Sequence, residues 1–117
     1  MRHLSRGKKF HRQAGRRKSF LRNLMLNLIK KEKIETTEAR AKAIRPILER
    51  LVNIAKKNTL ASRRLVYRRL INKKIANKLI DEISPRYKER KGGYLRIKKL
   101  AKFRKRDGAA ISIIEFV

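Results

Sequence analysis

Arg63, Arg64, Arg68 and Arg69 crowd four guanidinium groups into one short run, and no acid occurs between Glu49 and Asp81 to offset them. A guanidinium is permanently charged and presents its donors in a planar fork that matches phosphate oxygens. The chemistry such a run points to is anion binding. A second cluster comprises Arg2, Arg6, Lys8, Lys9, Arg12, Arg16, Arg17, Lys18 and Arg22, with His3 and His11 among them. The first 31 residues hold eleven Lys or Arg and no acid; the first carboxylate is Glu32. A third cluster, Arg86, Arg90, Lys91 and Arg96, surrounds Gly92-Gly93. Three basic clusters on separate elements fit a partner that wraps around the protein, as folded RNA does, with each phosphate contact releasing counterions.

Other chemistries find less support. Hydrolysis needs paired carboxylates, a nucleophile beside a base, or a metal cluster. The chain has nine acids, most of them beside basic residues where charge pairing explains them. Both histidines fall in the acid-free segment, a poor rigid support for general-base work. Two histidines and no cysteine do not make a structural zinc site. GxxxxGK[ST] and GxGxxG are absent, so Gly92-Gly93 alone is no nucleotide loop. The sequence therefore predicts neither catalysis, nor cofactor, nor metal, nor small-molecule substrate.

The totals set the frame for these clusters. The 117 residues amount to one domain by size, with 36 Lys+Arg against 9 Asp+Glu and a formal net charge of +27. Charge of that size repels itself and favours polyanions. A hydrophobic fraction of 41% is nevertheless too high for a wholly disordered polycation. No apolar stretch approaches the roughly 20 residues that span a bilayer, and the opening residues lack the apolar segment of a secretory signal. The expected object is a small folded body with a basic surface and an extended basic arm.

Residues 1–15 show no apolar period and read as that arm; residues 16–117 read as a single globular domain. From Arg16, Phe20, Leu21, Leu24, Met25 and Leu28 recur at helical spacing. Residues 33–37 read as a brief strand. Thr37 then caps a helix running to Lys57, with Pro46 predicting a kink or short break inside it. Thr59 caps a third helix with Leu65, Val66 and Leu70 inward, and Asn72 a fourth that Pro85 ends. The run 94–100 and the apolar run 109–117, joined through Asp107-Gly108, predict an antiparallel hairpin whose last strand is central. If the 33–37 segment pairs with that strand, the fold class is α+β: two layers, about four helices on a small, three-stranded, mostly antiparallel sheet, plus the arm.

Aromatic residues divide between surface and core. Phe10, inside the arm, is expected to stack on a base or enter an RNA crevice. Phe20, Phe103 and Phe116 are expected in the core. Tyr87 and Tyr94 flank the basic loop, and packing and RNA contact are equally open to them. No RNP1-type run or GXXG loop appears. Residues 16–31 also satisfy the pattern of a membrane-surface helix, but three further helices with matching apolar faces favour packing.

The order of several segments resembles bacterial large-subunit ribosomal proteins of the family numbered seventeen. They are Met1-Arg2-His3, Phe20-Leu21-Arg22-Asn23-Leu24, Ile34-x-Thr36-Thr37 before Arg40-Ala41-Lys42, and residues 51–56 followed by Arg63-Arg64. Pro85-Arg86-Tyr87, Arg90-x-Gly92-Gly93-Tyr94-x-Arg96-Ile97, the Asp107 turn and Ile114-Glu115 complete the series. Ala14-Gly15 stands where members often have Ser or Asn, and Gly108-Ala109-Ala110 where they often have Asn-Ala-Pro. The resemblance implies a mixed fold of three strands and about four helices without enzymatic activity or cofactor. It also implies a place near the mouth of the exit tunnel, bound to large-subunit ribosomal RNA and neighbouring ribosomal proteins.

The residues expected to contact RNA are therefore those of the three clusters, with Phe10, Gly92, Gly93 and Tyr94. The expected role is structural: cations neutralise phosphates whose repulsion otherwise holds RNA helices apart. The competing reading is a nucleoid-type DNA architectural protein, which would bind arbitrary duplex DNA at least as tightly and carry a dimerisation surface. A membrane-active cationic protein is a third. Location distinguishes them, and the expected one is the ribosome, in the cytoplasm.

Overall fold

The structure, a computed structural model, describes Phe10 and residues 12–117. Arg2, His3, Arg6, Lys8, Lys9 and His11 lie outside the described residues, as does most of the segment expected to be an extended arm.

Helix α1 spans Ala14–Lys31 and turns Met25, Leu28 and Ile29 into the core. It begins two residues before the expected Arg16 boundary. Its first turn is uncapped by any side chain, while Lys30 and Lys31 sit at the negative end of its dipole. Strand β1, Lys33–Thr37, leads directly into α2, Glu38–Lys57. The Thr37 hydroxyl accepts from the Arg40 N–H at 3.4 Å, the expected cap.

No break occurs at Pro46; α2 runs through it. Pro46 and Lys42 both lie on the exposed side, so the Lys42 carbonyl, deprived of its donor, faces water. Helix α3, Leu60–Leu70, opens with a capping box in which Thr59 and Ser62 satisfy each other's backbone N–H. Val66 and Leu70 are buried as expected, whereas Leu65 is only half-buried.

The fourth helix departs further from expectation. Helix α4 is regular only over Lys73–Lys78, continues as a π turn over Leu79–Ile83, and tightens to a 3₁₀ turn over Ser84–Tyr87. Pro85 sits inside that last turn rather than beyond it. It has no N–H to give Ile80, and the Ser84 hydroxyl donates to the Ile80 carbonyl instead, at 2.8 Å.

Strands β2, Leu95–Phe103, and β3, Ala110–Phe116, form the hairpin. The sheet order is β1-β3-β2, both pairs antiparallel, so the apolar last strand is central. Ile114 stands between Ile34 and Ile97 on the helix-facing side. The single core joins Leu28 and Ile29 of α1 and Ile44, Leu48 and Val52 of α2 to Val66, Leu79, Ile83 and Ile114. This is a two-layer α+β fold.

Candidate nucleic-acid interface

The helical periods bring two predicted clusters together. Lys18 and Arg22 of α1 face Arg68 and Arg69 of α3 across a hollow of about 490 Å³. Arg50 of α2 joins them on the rim, and the floor is Leu21, Met25, Ile47, Leu51 and Ile54. No acid lines this hollow. None of its five cations enters an ion pair among the described residues. The Arg22 Nε is covered yet has no acceptor among the described residues, a cost that a ligand oxygen would remove. Arg50 escaped the sequence reading because it stands alone rather than in a run. Its position three residues after Ile47 and four before Ile54 is the signal that places it on this face.

Other predicted residues already have partners within the fold. Arg63 donates to Asp81 at 2.6 Å, so among the described residues Arg64, Arg68 and Arg69 are the members of that run without an ion pair. Arg86 reaches Glu32 at the end of α1, with Lys78 at 3.7 Å on the other oxygen. The bond from Arg86, before the Coulombic pull of Arg86 and Lys78, holds the Glu32 carboxyl below the ordinary range, and Glu32 raises Arg86 in return. Arg12 lies over the Phe20 ring at 3.9 Å, and Phe10 meets that ring edge-on at 5.5 Å. Phe10 is thus half-buried on its own body, in contact with the helix it was expected to stand clear of. Arg16 and Lys18 are exposed, Arg17 half-exposed.

The loop after the 3₁₀ turn keeps Arg90, Lys91, Gly92 and Gly93 exposed. Only Gly93 takes positive φ, at 65°, and a side chain at either glycine would meet nothing within 4 Å. Backbone conformation at Gly93, not space, is what needs glycine. Tyr94, for which packing and RNA contact were equally open, packs: it is fully buried. Its hydroxyl accepts from Lys56 Nζ at 2.9 Å and lies within donating distance of Asn53 Oδ1, 2.5 Å, and the Arg90 carbonyl, 3.0 Å. Lys56 also donates to that carbonyl. Tyr94, its ring tilted against that of Tyr87 at 5.2 Å, therefore moors the loop to α2.

On the outer face of the sheet, Glu115 of β3 pairs with Arg96 at 2.8 Å and Lys98 at 2.9 Å. Their bonds, Lys98's the larger, hold its carboxyl down to about 2. A carboxyl depressed on folding contributes stability that is full above its ordinary value near 4.5 and lost as pH falls toward 2. The stability difference between wild type and Glu115→Gln, measured by urea unfolding, is expected to shrink steadily across that interval. A difference constant with pH would show that the pairs contribute nothing.

The hairpin end adds a basic feature that the clusters did not include. Residues 101–108 are all exposed and carry Lys102, Arg104, Lys105 and Arg106. Phe103, expected in the core, is 68% exposed there.

Among the described residues no group of His, Cys, Asp and Glu could hold a metal ion, and no helix is long and apolar enough to cross a membrane. A small α+β body, most of whose cations its nine acids leave unbalanced, defines a class of proteins completed by an outside source of negative charge. The family model for ribosomal protein L17 matches residues 20–117. The chain is 52% identical over 118 residues to large ribosomal subunit protein bL17 of Persephonella marina, covering 100% of this chain and 95% of that one. It is 46% identical to the same protein of Fusobacterium nucleatum over the whole of both chains. Against that of Thermus thermophilus the identity is 43%, covering 100% and 99%. The chain belongs to the ribosomal protein L17 family, a family of ribosomal structural proteins and not of enzymes.

Proposed function

We propose that this protein is a constituent of the large ribosomal subunit that binds and stabilises folded large-subunit ribosomal RNA. The observation that carries the reading is the acid-free groove, where Lys18, Arg22, Arg50, Arg68 and Arg69 converge from three helices without a counter-charge. Phosphates fill that deficit, and contacts of this kind read shape more than sequence. The exposed Arg90 and Lys91, held in place through Tyr94, form a second contact region. The basic segment that precedes α1 is a third. Membership of the family supports neighbouring ribosomal proteins as further partners, a place near the polypeptide exit tunnel, and a ribosome-bound location in the cytoplasm.

The test is a sucrose gradient of cell extract. The native protein is expected to sediment with large subunits and to remain there at moderate salt. Protein found free, or with the nucleoid, overturns the reading in favour of a DNA architectural role.

A further inference from the structure

Phe103 occupies an unusual place for an exposed aromatic. Single apolar residues at a surface are ordinary, but this one stands at the end of a basic hairpin, next to Lys102 and Arg104. The ladder between β2 and β3 is irregular between Lys99 and Phe103, and the residue then facing Phe103 is Ala110. Irregularities of this kind re-aim side chains, and a methyl group opposite leaves the ring uncovered.

The turn behind it is built rather than loose. The Arg104 Nε donates to Asp107 Oδ1 at 2.9 Å, and the Ala109 N–H donates to the same oxygen at 3.2 Å. The Arg104 N–H reaches the Ala109 carbonyl, and the Gly108 N–H the Arg104 carbonyl, both at 2.9 Å. Gly108 supplies the positive φ, 68°, that the turn requires. A ring fixed on a closed turn loses little freedom when something settles on it. Lys105 and Arg106, on the same turn, have no ion pair among the described residues.

We propose that Phe103 is a stacking platform for one unpaired base of the bound RNA, with Lys105 and Arg106 taking the phosphates that flank it. The inference rests on the ribosomal-RNA reading above. Every base has a π face, so an exposed ring stacks on an unpaired nucleotide whatever its identity. A flat apolar protein surface is the poorer fit, because seating the ring there would bury Lys105 and Arg106 without counter-charge, whereas the RNA chain brings a phosphate on each side of the base.

The test uses the full chain and purified large-subunit ribosomal RNA, with affinity measured across a series of salt concentrations. Phe103→Ala is expected to weaken binding by about five- to a hundredfold without changing the slope of log affinity against log salt. Phe103→Trp is expected to restore it and Phe103→Leu not. Phe103 is exposed, so these variants fold, which circular dichroism checks. Wild-type affinity in the alanine variant, or full restoration by leucine, overturns the stacking role while leaving the RNA reading intact. Failure of the wild-type protein to bind this RNA in preference to duplex DNA removes the RNA reading itself. A photoreactive phenylalanine analogue at position 103 in assembled large subunits is expected to cross-link to an unpaired nucleotide; capture of a ribosomal protein instead overturns the proposal.

Discussion

Replacing Arg22, Arg50 and Arg68 together by glutamine will reduce the slope of log RNA affinity against log salt by about three, one for each lost phosphate contact. At moderate salt the affinity falls by about a thousandfold, about tenfold for each charge-assisted bond. The three side chains come from three helices, line one hollow, and have no intramolecular acid. No ion pair is broken by the change, and glutamine keeps the helical propensity of arginine. The comparison is Lys42→Gln with Arg45→Gln, whose side chains are paired with Glu38 at 2.8 Å and Glu49 at 3.4 Å. That pair of changes will alter the slope less. Equal slopes in the groove variant and wild type would remove the groove from the interface.

Tyr94→Ala will destabilise the body by about 3–5 kcal/mol, the usual cost of deleting a large buried ring. In a domain near this size that lowers Tm by more than about 10 °C. The ring is fully buried against Tyr87, and its hydroxyl ties α2 to the loop at Arg90. Tyr94→Phe separates the two roles. It keeps the packing and removes only the hydroxyl, leaving Asn53 Oδ1 without that donor, a loss of about 1–2 kcal/mol. The phenylalanine variant will fold normally but exchange its amide hydrogens faster over residues 88–93. Unchanged exchange there would mean that the loop holds its shape without the tyrosine, through the Lys56 bond alone.

Much of this architecture could be read from residue patterns because local and tertiary preferences agree. Thr37, Thr59 and Asn72 were each expected to cap a helix, and each side chain accepts a backbone N–H there. The isoleucine-rich run 109–117 was expected to hold the central strand, and β3, Ala110–Phe116, lies between two strands. The misreadings occur where one signal stood in for geometry. Pro46 carries the signal of a kink or a short break, and no break follows on the exposed face of a 20-residue helix. The period through Leu79, Ile80 and Ile83 gives no sign of a π turn, since their spacing is that of an ordinary helix face. Phe103 has core chemistry, yet lies past the end of the helical layer.

The same split applies to the interface. Runs of arginine are visible in sequence, but which of them the fold itself neutralises is not. Arg63, Arg86 and Arg96 meet Asp81, Glu32 and Glu115, residues 18, 54 and 19 positions away. Long-range pairings of this kind carry no local pattern. Arg50 has the reverse history: unremarkable alone, it becomes part of a five-cation rim once three helices pack.

The strand at the centre of the sheet is also the one the translating machinery delivers after both its neighbours. β1 pairs from Lys33 opposite Glu115 to Thr37 opposite Ile111, and β3 is its one neighbour among the described residues. Every copy must therefore wait, with one half of its sheet complete in sequence but partnerless, until residues 110–116 emerge. The helices can form on their own schedule, whereas closure between ends so distant in the chain is slow. Any product cut short before residue 110 retains two strands that have no common neighbour, and it exposes both to aggregation or proteolysis. Placing the keystone late makes completion of the polypeptide a condition for acquiring its shape.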